Sequence, residues 1–122
     1  MQQYRPTVRE LLKKLEEAKA YLRKPQGRLV NPSKVVSELY VLEAGDTEKV
    51  WNLILVLLDE IHPEDYVGGR PPQKSYERSI EGKDLFAFCW WSKKLGKKMY
   101  IKYVLHDEHY VYVSLHESKG AK

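Results

Sequence analysis

Cysteine is nearly missing from this chain: Cys89 is the single one in 122 residues, so no disulfide can form within it and no cysteine-based metal site can be assembled. Between Phe88 and Trp90, Cys89 reads as a strand residue rather than a nucleophile. Long apolar runs are lacking too. The longest, Leu53 to Leu58, falls far short of the roughly 20 residues that span a bilayer. The opening Met1-Gln-Gln-Tyr-Arg5 has no apolar core, so the expectation is a cytoplasmic protein with no membrane partner. Repeats and low-complexity tracts are absent, and Gly68-Gly69 lacks the Lys and Ser or Thr of a phosphate-binding loop.

What is present is a globular balance, 43% hydrophobic and 31% charged residues, in a length that suits one domain spanning residues 1–122. The net charge of +4 and a pI near 9.1 admit a polyanionic partner without requiring one.

Thr7-Val-Arg-Glu10 has the form of a capping box, and Val8, Leu11, Leu12, Leu15, Ala18 and Leu22 follow at helical spacing, which predicts a first helix over Thr7 to Arg23. Pro25 and Gly27 stop it. Asn31-Pro32 supplies a cap and a first-turn proline for a second helix to about Leu42. Asp46 caps a third, from Val50 to Ile61, with almost no polar face; a buried strand inside Leu53 to Leu58 is the alternative. His62 to Pro72 holds two glycines and three prolines and reads as the main loop. Leu85–Trp91, Met99–His106 and Tyr110–Glu117 are rich in β-branched and aromatic residues and predict an antiparallel meander, with Tyr76–Ile80 as a candidate fourth strand. The fold class is therefore α+β, N-terminal helices packed on a C-terminal antiparallel sheet of three or four strands.

Alternation puts Met99, Ile101, Tyr103 and Leu105 on one face of their strand and Tyr100, Lys102, Val104 and His106 on the other. If Asp107-Glu108-His109 is a three-residue loop, His106 faces Tyr110, Val104 faces Tyr112, Lys102 faces Ser114 and Tyr100 faces His116. The outer face would then carry Tyr100, Lys102, His106, Tyr110, Tyr112, Ser114 and His116. Two imidazoles, an amine and three phenols on one rigid surface could perform acid–base chemistry on a phosphodiester. The same pattern also fits an ordinary solvated sheet face. Lys93, Lys94, Lys97 and Lys98 surround Leu95-Gly96 in the turn before the second of these strands and could track phosphates, or simply solvate the turn. His62, Glu64 and Asp65, and likewise His106 and His109, look like ligand material but fit surface turns better, so neither a metal nor a cofactor is expected.

From Gly96 the chain reads Gly-Lys-Lys-Met-Tyr-Ile-Lys-Tyr-Val-Leu-His-Asp-Glu-His-Tyr-Val-Tyr-Val-Ser-Leu-His-Glu. It resembles the end of the MqsR toxins, members of the RelE-like endoribonuclease superfamily. Tyr100, Lys102, His106, Asp107, Ser114, His116 and Glu117 fall on the pattern, and the apolar helix leading into Glu64-Asp65-Tyr66 is also similar. The resemblance implies a RelE-like fold and a metal-independent endoribonuclease that cleaves mRNA, on or off the ribosome, as a growth-arresting toxin silenced by a cognate antitoxin. It implies His116 as general base or acid opposite Tyr100, where the family usually carries Lys. Lys102 would be the electrostatic stabiliser and His106 a second acid–base group, while Arg78, Lys93, Lys94, Lys97, Lys98 and Tyr112 would hold RNA. Two family features differ: Val67-Gly68-Gly69 stands where a functional Lys is usual, with Arg70 the nearest basic group, and Leu85–Trp91 lacks the polar catalytic residue. The competing expectations are a non-catalytic RNA-binding domain stacking bases on Tyr100, Tyr110, Tyr112, Phe88 and Trp90, and a protein-interaction module using the same aromatic face.

Overall fold

The computed structural model describes residues 6–24, 26–29 and 47–118. Helix α1 spans Val8–Arg23, strand β1 Gly27–Leu29, helix α2 Thr47–Leu58, and strands β2, β3 and β4 span Phe86–Ser92, Lys97–His106 and His109–Glu117. Short 3-10 turns occur at Pro63–Asp65 and Arg78–Ile80. The second expected helix, Asn31 to Leu42, lies outside the described residues.

Helix α1 begins as its sequence dictates: the Thr7 side chain accepts from the Glu10 amide at 3.1 Å, filling one of the orphan donors of the first turn. Leu11, Leu15, Ala18 and Leu22 recur at helical spacing and are all buried. Helix α2 buries Val50, Ile54, Leu57 and Leu58, so the strand alternative for Leu53 to Leu58 does not hold. The two helices are tied at their margin by Lys19, whose ammonium reaches Glu16 at 3.0 Å and Asp59 at 3.1 Å.

The sheet order is β1-β4-β3-β2. The β2–β3 and β3–β4 pairs are antiparallel, as expected, but the fourth strand is β1, parallel to β4 at its other edge. Tyr76–Ile80 is not a strand; its Arg78–Ile80 part forms a 3-10 turn and the segment around it folds over the sheet. Gly27 lets β1 approach α2, because a Cβ there would stand 2.5 Å from the Trp51 indole.

Both helices cover one face of the sheet, where Phe88, Met99, Ile101, Tyr103, Tyr110, Tyr112 and Leu115 join the main core. Here the structure corrects the expected register. The hairpin turn holds two residues, Asp107 and Glu108, both with positive φ (56° and 57°), the geometry of a type I′ turn. His106 therefore pairs with His109 and Val104 with Val111. A bulge opposite Lys102 and Tyr103 then absorbs Val113, and beyond it Lys102 pairs with Ser114 and Tyr100 with His116, as expected. On the turn side of the bulge β4 is rotated by one residue, so Tyr110 and Tyr112 point into the helix-covered core at 0% and 1% exposure. Val104 and Val111 are buried on the opposite face beneath Ile80, with Leu85 and Val113 against them.

Candidate functional site

The face turned away from the helices has two halves. The half beside the hairpin turn is roofed by segment 73–85, whose own bonds make it a built structure: Leu85 donates to the Gln73 carbonyl at 2.8 Å and Ser75 to the Lys83 carbonyl at 2.9 Å. The other half is open. It carries Trp91 and Cys89 from β2, Lys98, Tyr100 and Lys102 from β3, and Ser114 and His116 from β4, aligned by the pairs Trp91–Lys98, Cys89–Tyr100, Tyr100–His116 and Lys102–Ser114.

At its centre the Tyr100 ring stacks on the His116 imidazole, centroids 5.1 Å apart and planes 27° from parallel. The Lys102 ammonium lies 6.0 Å from the Tyr100 centroid, a position that favours a cation over the ring. His116 Nδ1 donates to the Glu117 carbonyl at 2.9 Å. Because a carbonyl can only accept, that bond puts a proton on Nδ1, and in the neutral ring Nε2, on an exposed side chain, is then the acceptor. Burial, and then the facing Cys89 thiol, push the Tyr100 phenol above its ordinary pKa. Near neutral pH Tyr100 is thus a proton donor. One acceptor, one donor and one cation stand together.

Other expected site residues are not brought to this centre. His106 lies six residues along β3 from Tyr100, about 20 Å at the usual strand rise, and pairs with His109 beside the turn. It is too distant to share a proton relay with His116. Tyr112 is core and presents nothing to RNA. Phe88 and Trp90, candidate stacking residues, are 0% and 4% exposed, whereas Trp91 is 62% exposed. The alternation Phe86, Phe88, Trp90 carried that signal, since it sends Trp91 to the opposite face.

Of the lysine cluster, Lys98 shares the open face, Lys97 lies on the Met99 side of β3, and Lys93 and Lys94 stand in the turn. That turn is anchored by Glu60, which accepts from the Trp90 indole and from the Lys94 amide, both at 2.9 Å. Burial would raise the Glu60 carboxyl, but bonds from Trp90, Lys94, Ser92 and Lys93 outweigh it and hold the group below its ordinary range. Arg78 is exposed on the roofing segment. Arg70 is committed elsewhere: its guanidinium lies 5.0 Å over the Tyr66 ring and donates to the Pro6 carbonyl at 3.0 Å.

Among the described residues no group of three or more His, Cys, Asp or Glu side chains is placed to hold a metal ion, and no helix is long and apolar enough to cross a membrane. His62 and Asp65 serve their own 3-10 turn, the Asp65 carboxylate accepting from the His62 amide at 2.9 Å. No family model, curated protein or solved structure matches the chain.

Proposed function

We propose that the open half of the sheet binds single-stranded RNA and cleaves it without a metal ion, with His116 as general base, Tyr100 as general acid and Lys102 as electrostatic stabiliser. The observation that carries this reading is the stacked Tyr100–His116 pair, in which the bond from Nδ1 to Glu117 leaves Nε2 able to take a proton while Tyr100 retains one to give. In the reaction Nε2 removes the proton of a ribose 2′-hydroxyl and the 2′-oxygen attacks the adjacent phosphorus. The P–O5′ bond breaks as Tyr100 protonates the departing oxygen, and the products are a 2′,3′-cyclic phosphate and a 5′-hydroxyl. The Lys102 ammonium offsets the charge that builds on the phosphoryl oxygens. Trp91, exposed beside Lys98, supplies a stacking plane and a phosphate contact for the strand that leads into the site.

The resemblance of the terminal hairpin to the MqsR toxins supports placing this activity in a cytoplasmic, mRNA-cleaving toxin held in check by an antitoxin. A second reading, RNA binding without cleavage, is favoured by the separation of His106 from His116, which leaves one imidazole at the centre. Product chemistry distinguishes them. An oligoribonucleotide incubated in EDTA should yield fragments ending in 2′,3′-cyclic phosphate, and a single 2′-deoxy substitution should block the cut at that position alone. Retention of the intact oligonucleotide on the protein would favour the second reading.

A further inference from the structure

Beside Lys102 the open face runs into a cavity of about 430 Å³, in the size range of small-molecule sites. One wall is the roofing segment, with Gln73, Ser75, Tyr76 and Glu77; the sheet supplies Lys102 and Val113. We propose that this cavity is the subsite for one nucleobase next to the scissile phosphate, and that Gln73 and Glu77 set the base preference of the site. The proposal rests on the RNA reading above.

Three features point to a base rather than a bare phosphate. The walls differ in kind: Tyr76 is 93% exposed at the rim and offers a ring to a planar ligand, while Val113 gives an apolar surface. The polar groups are those that read a base edge. Gln73 has an amide donor and acceptor and Glu77 a carboxylate acceptor, and the Ser75 oxygen, which already accepts the Glu77 amide at 3.1 Å, has its proton left to donate. Finally, the wall is pre-formed. Ser75 is 4% exposed, held by its amide N–H donating to the Lys83 carbonyl and by the Gly82 amide donating to its own carbonyl, both at 2.9 Å. Lys74 also lines the cavity, and its amine is paired with Asp84.

Placement makes the subsite part of the same centre. Lys102 lines the cavity and also faces the Tyr100 ring, so a base in the cavity sets its own phosphate at Lys102. Tyr100 is two residues back along β3, about 7 Å, which is one nucleotide along an extended strand. Register at the reacting phosphate would thus be fixed by the base held next door, in the way that remote contacts position a reacting group.

The test is amide NMR of the full chain with four 2′-O-methyl tetraribonucleotides that differ at one base, repeated with Glu77→Gln and Tyr76→Ala. The expected result is shifts both at Gln73, Ser75 and Glu77 and at Tyr100 and His116. One base should bind about tenfold more tightly than the others, a preference that Glu77→Gln erases while the Tyr100 and His116 shifts persist. Shifts at Tyr100, His116 and Trp91 alone, with equal affinity for all four, would overturn the subsite and leave the RNA reading standing. No shift anywhere would overturn both.

Discussion

The Tyr100 ring lies on the His116 imidazole at 5.1 Å, and the two residues face each other across β3 and β4 at the same register position. Their contact depends on the bulge at Val113. Without it the two-residue turn would put Val113 opposite Lys102 and Leu115 opposite Tyr100, and would send His116 to the helix-covered face.

Tyr100→Phe keeps the stack and removes the proton donor, so cleavage should fall by about 10²-fold or more while RNA affinity stays within about twofold. Measured kcat and KM separate the two effects; a rise in KM with unchanged kcat would assign Tyr100 to binding instead.

The Tyr100 pKa is raised above the ordinary phenol value of 10.0, so the alkaline limb of wild-type cleavage should not turn downward until the pH exceeds 10. A decline near pH 8 or 9 would argue that some other group donates the proton.

The two neighbouring tryptophans should behave oppositely. Trp91→Ala should weaken single-stranded RNA binding by about 1–3 kcal/mol with little change in melting temperature. Trp90→Ala should cost about 3–5 kcal/mol of stability, since Trp90 is 4% exposed and its indole is bonded to Glu60. Titration and thermal denaturation of both variants check the pair.

Glu60 should impose an acid sensitivity on the fold. Its folded pKa is depressed, so its contribution is fully present above the unfolded value and is lost as pH falls through the folded one. Denaturation midpoints of wild type should therefore drop below about pH 4.5 more steeply than those of Glu60→Gln, which has no carboxyl to protonate.

Glu108 holds a φ of +57° in the turn, a region costly for a residue with a side chain. Glu108→Gly should stabilise the chain by about 1 kcal/mol, roughly 4 °C in melting temperature for a domain of this size. A lower melting temperature would contradict the turn geometry.

Much of this was legible in the sequence where one face is wet and the other dry. Thr7 and Glu10 marked the start of α1, and the β3–β4 register beyond the bulge, including Tyr100 with His116, was reached from alternation with a three-residue loop, whose offset the two-residue turn and the bulge together reproduce. On the turn side of the bulge the pattern fails for a physical reason. Val104 and Val111 are buried under Ile80 while Tyr110 and Tyr112 are buried under the helices, so neither face is polar and alternation has nothing to report. Tyrosine was read as the outward residue; here its large ring fills the core. Strand β1 was invisible because three residues, Gly27–Leu29, carry no period of their own, and they become a strand through pairing with distant Tyr110 and Tyr112. His106 was grouped with His116 on a shared face, but a shared face is not proximity when six residues intervene.

The most direct test is cleavage of a long single-stranded RNA in EDTA by wild-type and His116→Ala protein, with RNA affinity measured for both. The account predicts cuts by the wild type, their loss by at least about 10²-fold in the variant, and nearly equal affinities. Undiminished cleavage by His116→Ala, or an RNA left whole by both proteins, would contradict it.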